Sequence, residues 1–366
     1  MSSLNDCNDA DNMVLVEEGA SSRTIILNRP NLTNLVKATG LLVFYTKGNG
    51  RSFCAGGDVV TLYRLLSKGR VEECKECFRT FYSLMYRLNT YLKPHVAIMN
   101  GITMGGGAGL SVHGSFCIAT EKTVFAIPEV LIGSHPDAGA SYYLSHLPGH
   151  LGEYLGLTGG RLSGEELLAC GFATHYIPSA RLPLIEEQLR SLAVHDFSAM
   201  ETFLAKHSEH VYPNENSILH RVETLNKCFG HDTVEEIIGA LVRESEVAET
   251  NDEWCLSTLK KLREAPPLSL KISLKSIQKA RFETLEECLK REYRMSMRMI
   301  SRQISNDFCE GVRTRLVEKS FAPKWDPPCL EQVTEEMVNA YFERISVDEP
   351  ELELPNKLRK ASHANV

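Results

Sequence analysis

The sequence predicts an α/β protein, and three observations support this class. Two continuous apolar runs, Leu41–Tyr45 and His95–Met99, are typical of strands buried on both faces. A glycine-rich turn follows each run, and apolar residues from Val59 to Leu66 then recur at helical spacing. From about residue 180 onward the chain carries long charged amphipathic stretches with few strand signals. We therefore expect strands and helices to alternate in the first half and helices to dominate the second.

Further elements follow from the same patterns. Val14–Val16 and Thr24–Leu27 are short β-prone runs that predict a hairpin. Phe116–Thr120 and Val124–Ile127 predict a further strand pair, and a helix is expected from about Ala138 to Leu147. No internal repeat is visible.

Composition excludes several classes of protein. The chain has 366 residues, of which 43% are hydrophobic and 24% charged, as in ordinary globular proteins. Its net charge is -7, and acidic and basic residues are mixed along the chain, so no nucleic-acid partner is expected. No apolar run reaches membrane-spanning length, so no membrane partner is expected either.

The 11 cysteines are scattered from Cys7 to Cys329, which indicates a reducing compartment rather than a disulfide framework. Cys74 and Cys77 form a lone Cys-x-x-Cys without a second ligand pair, so they are interpreted as helix residues and no metal is predicted. Residues 1–25 are rich in acid and the chain does not end in Ser-Lys-Leu, so we expect a cytoplasmic location.

Two glycine-rich turns carry the first chemical signal. Phe53–Asp58 follows a strand and opens a helix, where backbone N–H groups are left unpaired. A plain tight turn with Asp58 as helix cap is the competing interpretation. Asn100–Gly109 also links a strand to a helix, and it lacks the Lys-Ser/Thr of a phosphate-binding loop. Two such turns can each supply one N–H donor to an oxyanion hole.

The order of Ala55–Asp58, Asn100–Gly109 and Phe125–Glu129 resembles the signature order of the crotonase (enoyl-CoA hydratase/isomerase) superfamily. This resemblance implies a crotonase-like ββα superhelix with a helical C-terminal region. It also implies that the N–H groups of Gly57 and Gly106 hold the thioester oxygen as an oxyanion hole. The residues implied to bind substrate or CoA are Ala55, Gly56, Gly105, Gly106, Glu129 and Asp137, with the Ala55 carbonyl facing the adenine.

Further segments are similar to the 3-hydroxyisobutyryl-CoA hydrolases of that superfamily. They include Gly101–Gly114, Ala173–His175, Glu292–Ser296 and Asp307–Arg313, so the resemblance covers nearly the whole chain. It implies three regions, namely a crotonase core over 12–180, a helical region over 181–345 that completes the active site, and a flexible tail over 346–366.

The carboxylates distinguish the reactions within the superfamily. Hydratases use two glutamates, and the position of the first is occupied here by Gly109. The second matches Glu129, and Asp137 is added, which is the pairing of the hydrolase branch. The resemblance implies that Glu129 is catalytic, as nucleophile or general base, and that Asp137 orients Glu129 or the substrate hydroxyl. From the residues alone, a surface position for Glu129 and a helix-cap role for Asp137 compete with these roles.

The expected function is hydrolysis of a short 3-hydroxyacyl-CoA, most specifically 3-hydroxyisobutyryl-CoA in valine breakdown. The alternatives are an enoyl-CoA hydratase or isomerase, and a catalytically impaired CoA-binding or interaction protein. No cofactor is expected because CoA enters as part of the substrate, and a homo-oligomer, common in the superfamily, stays open. His113 and His175 are expected to satisfy local hydrogen bonds, and His135 is expected to be a loop histidine.

Two departures from the family pattern matter. The connection over 28–40 is barely as long as the roughly 10 to 12 residues that a parallel crossover needs, and relatives carry a longer segment there. A missing crossover helix would impair folding or activity. Phe81 stands where animal hydrolases have a substrate-contacting glutamate, so the preferred acyl group is open.

Overall fold

The computed structural model describes residues 14–18, 22–27, 43–191, 197–247, 253–320, 322–344, 346 and 349–354. The connection over 28–40 lies outside the described residues, so its predicted effect on folding stays a prediction. No helix in the described ranges combines the length and the apolar character needed to cross a membrane.

The described strands form a six-stranded and a four-stranded sheet. Their bounds are β1 (Val14–Glu18), β2 (Ser22–Leu27), β3 (Val43–Gly48), β4 (Ser52–Cys54), β5 (His95–Met99), β6 (Ile102–Met104), β7 (Phe116–Ala119), β8 (Val124–Ala126), β9 (Arg161–Ser163) and β10 (His175–Tyr176). The larger sheet has the order β1-β2-β3-β5-β7-β10 and the smaller β4-β6-β8-β9. The predicted hairpin is confirmed because β1 and β2 pair antiparallel, while the other pairs of the larger sheet are parallel.

Fifteen α-helices lie within the described ranges. They are α1 (Val59–Ser67), α2 (Val71–Asn89), α3 (Gly106–Val112), α4 (Ala140–Ser145), α5 (Leu151–Thr158), α6 (Gly164–Ala169), α7 (Leu182–Ser191), α8 (Phe197–His207), α9 (Val222–Phe229), α10 (Val234–Val247), α11 (Glu253–Glu264), α12 (Pro267–Ala280), α13 (Leu285–Ser301), α14 (Asp307–Val312) and α15 (Glu335–Ala340). Past β10 the described residues form helices and turns without strands, so the predicted helical half is confirmed.

Successive strands alternate between the two sheets, and helices follow each pair. β3 and β4, β5 and β6, and β7 and β8 each place one strand in the larger sheet and the next in the smaller. Every residue of β5 is buried, as its continuous apolar run requires. This repeat is the predicted ββα superhelix. The predicted pairing of the strands at 116–120 and 124–127 is wrong, because β7 and β8 lie in different sheets.

The second glycine turn is also more structured than its sequence suggests. A short strand, β6, interrupts Asn100–Gly109, so α3 begins only after Gly105. Helix α4 is shorter than predicted because Gly139 adopts φ +82° immediately before it.

The helical half and the strand-rich half share hydrophobic cores. One cluster of buried hydrophobic side chains includes Met99 of β5 and Ile277 of α12. A second includes Ile25 of β2 and Leu352 near the end of the described residues. Helix α13 packs on α2, where the rings of Tyr293 and Tyr82 meet edge to face at 5.9 Å. The predicted flexible tail therefore starts too early at residue 346, since Leu352 is buried against this core.

Candidate active site

The two glycine turns meet. A Cβ placed on Gly106 would lie 3.7 Å from the backbone nitrogen of Gly57, and one on Gly56 would lie 3.6 Å from that of Gly106. Neither the Gly57 nor the Gly106 N–H donates to any described residue. Two neighbouring unpaired N–H donors are the arrangement that an oxyanion hole requires. Asp58 caps α1 through Thr61, so the structural and the chemical interpretation of the first turn coexist.

Glu129 lies directly beside this pair of turns. It begins a 3₁₀ turn, Glu129–Ile132, that follows β8. A Cβ on Gly105 would lie 2.6 Å from Glu129 Oε1, and Gly105 has φ +54°, so no larger residue fits there without a shift. Glu129 Oε2 is buried and meets no hydrogen-bond partner among the described residues. Burial, and then the charge of Asp137, raise the pKa of Glu129 well above its usual range.

Gly109 has no room for a side chain. A Cβ at this position would lie 2.5 Å from the Cβ of Ala138 and 2.7 Å from the Ala138 carbonyl oxygen. In real proteins a Cβ atom essentially never lies that close to another non-bonded atom. Ala138, which follows Asp137, therefore occupies the space that the side chain of a hydratase glutamate would need at position 109.

Asp137 lies in the segment before α4, next to the Ala138 that packs against Gly109. Its side chain retains some exposure, and it receives no hydrogen bond from the described residues. The competing interpretation of Asp137 as a helix cap is wrong, because the N-cap of α4 is Gly139. Burial, and then the charge of Glu292, raise the pKa of Asp137 to about 8.

Glu292 from α13 supplies the cap instead. Its Oε2 accepts a hydrogen bond from the Gly139 N–H at 2.7 Å, and its Oε1 accepts one from the Ser141 N–H at 2.9 Å. The Ser141 hydroxyl also donates to Oε1, at 2.5 Å. Glu292 is fully buried. We define the carboxylate cluster as Glu129, Asp137 and Glu292.

Phe81 lies against the oxyanion turn. Its Cε2 and Cζ would each lie 3.3 Å from a Cβ on Gly106, and its ring meets Tyr82 edge to face at 5.6 Å. The apolar ring that distinguishes this chain is therefore placed next to the proposed oxyanion donor.

The remaining predicted polar residues are structural in their contacts. His113 bonds Asn89 at 2.6 Å and the Ala138 carbonyl at 3.3 Å, and His175 bonds Thr174 at 2.8 Å. His135 lies in the loop before α4, as predicted; it is fully buried there and contacts the Pro136 carbonyl at 3.0 Å. These contacts confirm the local roles predicted for His113 and His175.

One other prediction concerns a pair of cysteines. Cys74 and Cys77 are residues of α2, as expected. Met295, Met297 and Met299 are buried in α13. Within the described ranges, no group of three or more His, Cys, Asp or Glu residues is arranged to hold a metal ion.

Sequence reasoning missed the role of Glu292. It entered only as part of a segment that resembles the hydrolases. A local signal was present, because Glu292 falls on the apolar face of α13 between Leu289 and Ser296, where a charged residue needs partners.

Known proteins resemble this chain over most of its length. Residues 23–342 match the model of the enoyl-CoA hydratase/isomerase family. The chain is 51% identical to 3-hydroxyisobutyryl-CoA hydrolase-like protein 1, mitochondrial, of Arabidopsis thaliana, over 96% of this chain and 92% of that one. It is 45% identical to 3-hydroxyisobutyryl-CoA hydrolase 1 of the same plant, over 93% and 94% of the two chains.

A third relative is named as a ribosomal protein rather than as a hydrolase. The Arabidopsis small ribosomal subunit protein mS47 is 50% identical over 96% of this chain and 90% of its own length. Among solved structures, a carnitinyl-CoA dehydratase from Mycobacterium thermoresistibile superposes with a TM-score of 0.83 at 32% identity. That match covers 95% of this chain and all of the other.

Family, fold and motif order agree across nearly the whole length. The relatives named as hydrolases share far more than the 30% identity at which family membership is secure. The chain therefore belongs to the enoyl-CoA hydratase/isomerase family and, within it, to the 3-hydroxyisobutyryl-CoA hydrolase branch, as its motifs predicted.

Proposed function

We propose that this protein hydrolyses a short 3-hydroxyacyl-CoA thioester, with 3-hydroxyisobutyryl-CoA as substrate and 3-hydroxyisobutyrate and free CoA as products. This is the reaction of valine breakdown that the family resemblance implies. One observation carries the proposal: the unpaired N–H groups of Gly57 and Gly106 lie together, with the carboxylate of Glu129 immediately beside them.

In the proposed reaction the thioester oxygen accepts hydrogen bonds from the Gly57 and Gly106 N–H groups. Negative charge develops on that oxygen when the carbonyl carbon is attacked, so the two donors stabilise the transition state more than the substrate. CoA would run past the first turn, where Ala55 is exposed and Gly56 lies against the second turn.

Glu129 supplies the attack in one of two ways. In the first, the Glu129 carboxylate adds to the carbonyl carbon, the C–S bond breaks, and water then hydrolyses the resulting anhydride. In the second, Glu129 takes a proton from a water molecule, and the oxygen of that water adds directly to the carbonyl carbon. Both routes consume one water and release acid and thiol. Single turnover in ¹⁸O-water distinguishes them, because only the anhydride route places label in the Glu129 carboxyl.

A hydratase is less well supported. That reaction needs a second glutamate at Gly109, and the contact with Ala138 leaves no space for one. Following the absorbance of an enoyl-CoA tests this alternative, and we expect no change on adding the protein.

The decisive experiment measures thiol release from a panel of short acyl-CoA substrates. We expect release from 3-hydroxyacyl thioesters, at least a roughly 100-fold loss in Glu129→Gln, and a smaller loss of about tenfold or more in Asp137→Asn. A wild-type protein that releases no thiol from any member of the panel would sink the proposal.

An interaction protein without catalysis is the second candidate, and the relative named as a ribosomal subunit protein favours it. Under this alternative, tagged protein would sediment with small ribosomal subunits, and Glu129→Gln would leave that sedimentation unchanged. Sedimentation as a free protein, together with thioesterase activity, favours the enzyme.

The predicted cytoplasmic location remains a proposal. The first relative described above carries "mitochondrial" in its name, so fluorescence imaging of the tagged full-length protein is the direct test. A mitochondrial signal would replace the cytoplasmic prediction.

A further inference from the structure

Helix α13 reaches the candidate site from far along the chain with two buried polar residues on one face. Glu292 and Ser296 are one helical turn apart, and both side chains have no exposed surface. Glu292 bonds the Gly139 and Ser141 N–H groups after Asp137. Ser296 bonds His135, before Asp137, at 3.3 Å, and Tyr82 of α2 at 3.0 Å. The loop that carries Asp137 is thus held on both sides by one helix.

The contacts of Glu292 favour its ionised form. Burial is the largest effect and leaves the pKa of this carboxyl above its usual value, while hydrogen bonds from Ser141, the charge of Arg291 and the Gly139 N–H oppose that rise. Arg291 sits beside the cluster, where it pairs with Glu283 at 2.6 Å and donates to the Ser141 hydroxyl at 3.3 Å. Asp137 has no comparable donors among the described residues, so the hydrogen bonds place the negative charge on Glu292.

The groups facing Asp137 and Glu292 come from several elements. Arg291 of α13 is charged near neutral pH. Glu129 of the 3₁₀ turn adds a negative charge once its carboxyl has lost its proton. The uncharged groups are Tyr82 of α2, Tyr143 of α4, Cys288 of α13, His113 at the end of α3 and His135 of the loop. Burial lowers the pKa of His113 and of His135 to about 4, so neither adds a positive charge.

We propose that Glu292 is a positioning residue, which anchors the Asp137 loop to the helical half through the Gly139 and Ser141 N–H groups and holds a negative charge there. This charge favours the protonated form of the Asp137 carboxyl. The inference rests on thioester hydrolysis at the proposed site. Asp137 then meets the bound substrate as a hydrogen-bond donor, rather than as a second carboxylate competing with Glu129. Activity should therefore fall as pH rises through the pKa of Asp137, which is about 8.

Two substitutions separate charge from anchoring. Glu292→Gln keeps the shape but removes the charge, so the alkaline limb of the kcat/KM profile moves to lower pH by about one unit or more. Glu292→Asp keeps the charge on a shorter side chain, so the rate falls while the limb stays near that of the wild type. Ser296→Ala is the matched control: it removes the other anchor without touching a charge, and the limb stays in place.

A spectroscopic measurement keeps the test independent of catalysis and of the folding of Glu292→Gln. At neutral pH, infrared difference spectra between wild type and Asp137→Asn should reveal one protonated carboxyl in the wild type. An ionised Asp137 in that spectrum, or an active Glu292→Gln enzyme with an unmoved alkaline limb, overturns the inference. Failure of the proposed function looks different, since the wild type itself would then release no thiol.

Discussion

The glycine turns line the candidate site with backbone atoms, whereas the carboxylate cluster lines it with side chains held by distant parts of the chain. In the turns, Gly57 and Gly106 lie side by side with unpaired N–H groups, and the glycines leave space for a ligand. In the cluster, Glu292 reaches Gly139 across 153 residues of sequence. The comparison teaches that one site can combine a part specified by local backbone geometry with a part specified by packing.

The largest expected effect tests how tightly the two parts touch. Gly105→Ala places a methyl 2.6 Å from Glu129 Oε1 on a backbone with φ +54°, so Glu129 must move. A displacement of about 1 Å typically costs on the order of 100-fold in rate, and we expect a loss of at least that size in kcat/KM. Gly239→Ala in α10 is the control for activity, because its added Cβ would meet only the end of the Arg243 side chain at 3.4 Å. Gly57→Ala is a control for folding alone, because nothing lies within 4 Å of its added Cβ. Wild-type kcat/KM in Gly105→Ala would contradict the contact.

The second test asks whether Gly109 is closed to side chains. In Gly109→Ala the new methyl would meet Ala138 at 2.5 Å, so we expect the free energy of unfolding to fall by about 1–3 kcal/mol. Urea denaturation measures this, again with Gly57→Ala as the matched variant. An unchanged midpoint would mean that the position is open and would restore the hydratase alternative.

A smaller effect is expected from the pH dependence of stability. The pKa of Asp137 is about 8 in the folded protein and about 3.9 in an unfolded chain, so the folded state binds the extra proton. Stability from this group is complete below about pH 4 and is lost as pH rises through about 8. Partial exposure of Asp137 limits the effect to about 1–2 kcal/mol.

Asp137→Asn should therefore be more stable than the wild type in mildly alkaline buffer, and similar to it in mildly acidic buffer. Denaturant midpoints at the two ends of that pH range provide the measurement. A stability difference that does not vary with pH would show that Asp137 titrates as an ordinary surface residue.

The smallest expected effect concerns metal removal. No metal is predicted, and the carboxylate cluster would be the natural place for one if that prediction fails. Treatment with EDTA followed by dialysis should leave kcat/KM unchanged. If kcat/KM fell after this treatment and Mg²⁺ or Ca²⁺ restored it, the carboxylate cluster would be a cation site rather than a group that holds a proton.

Sequence patterns and the family resemblance predicted different parts of this molecule. The alternation of strands and helices, the helical second half, and both glycine turns followed from periodicity and turn residues. The family resemblance placed Glu129, Asp137, Gly57 and Gly106 on the site before any geometry was known. The two-sheet separation of β7 and β8 was missed, because both strands are apolar and their sequences do not state which sheet each joins.

By itself, the sequence predicted the two glycine turns, since Gly105 combines φ 54° with ψ -124° beside Glu129, a backbone conformation that favours glycine, and that residue type is visible in the sequence. It also determined that Gly109 performs no acid-base chemistry. Only the tertiary structure decided how charge is distributed among the carboxylates. Burial and the contacts of Glu292 depend on α13 packing against α2 and α4, and no spacing of residues along the chain encodes that juxtaposition.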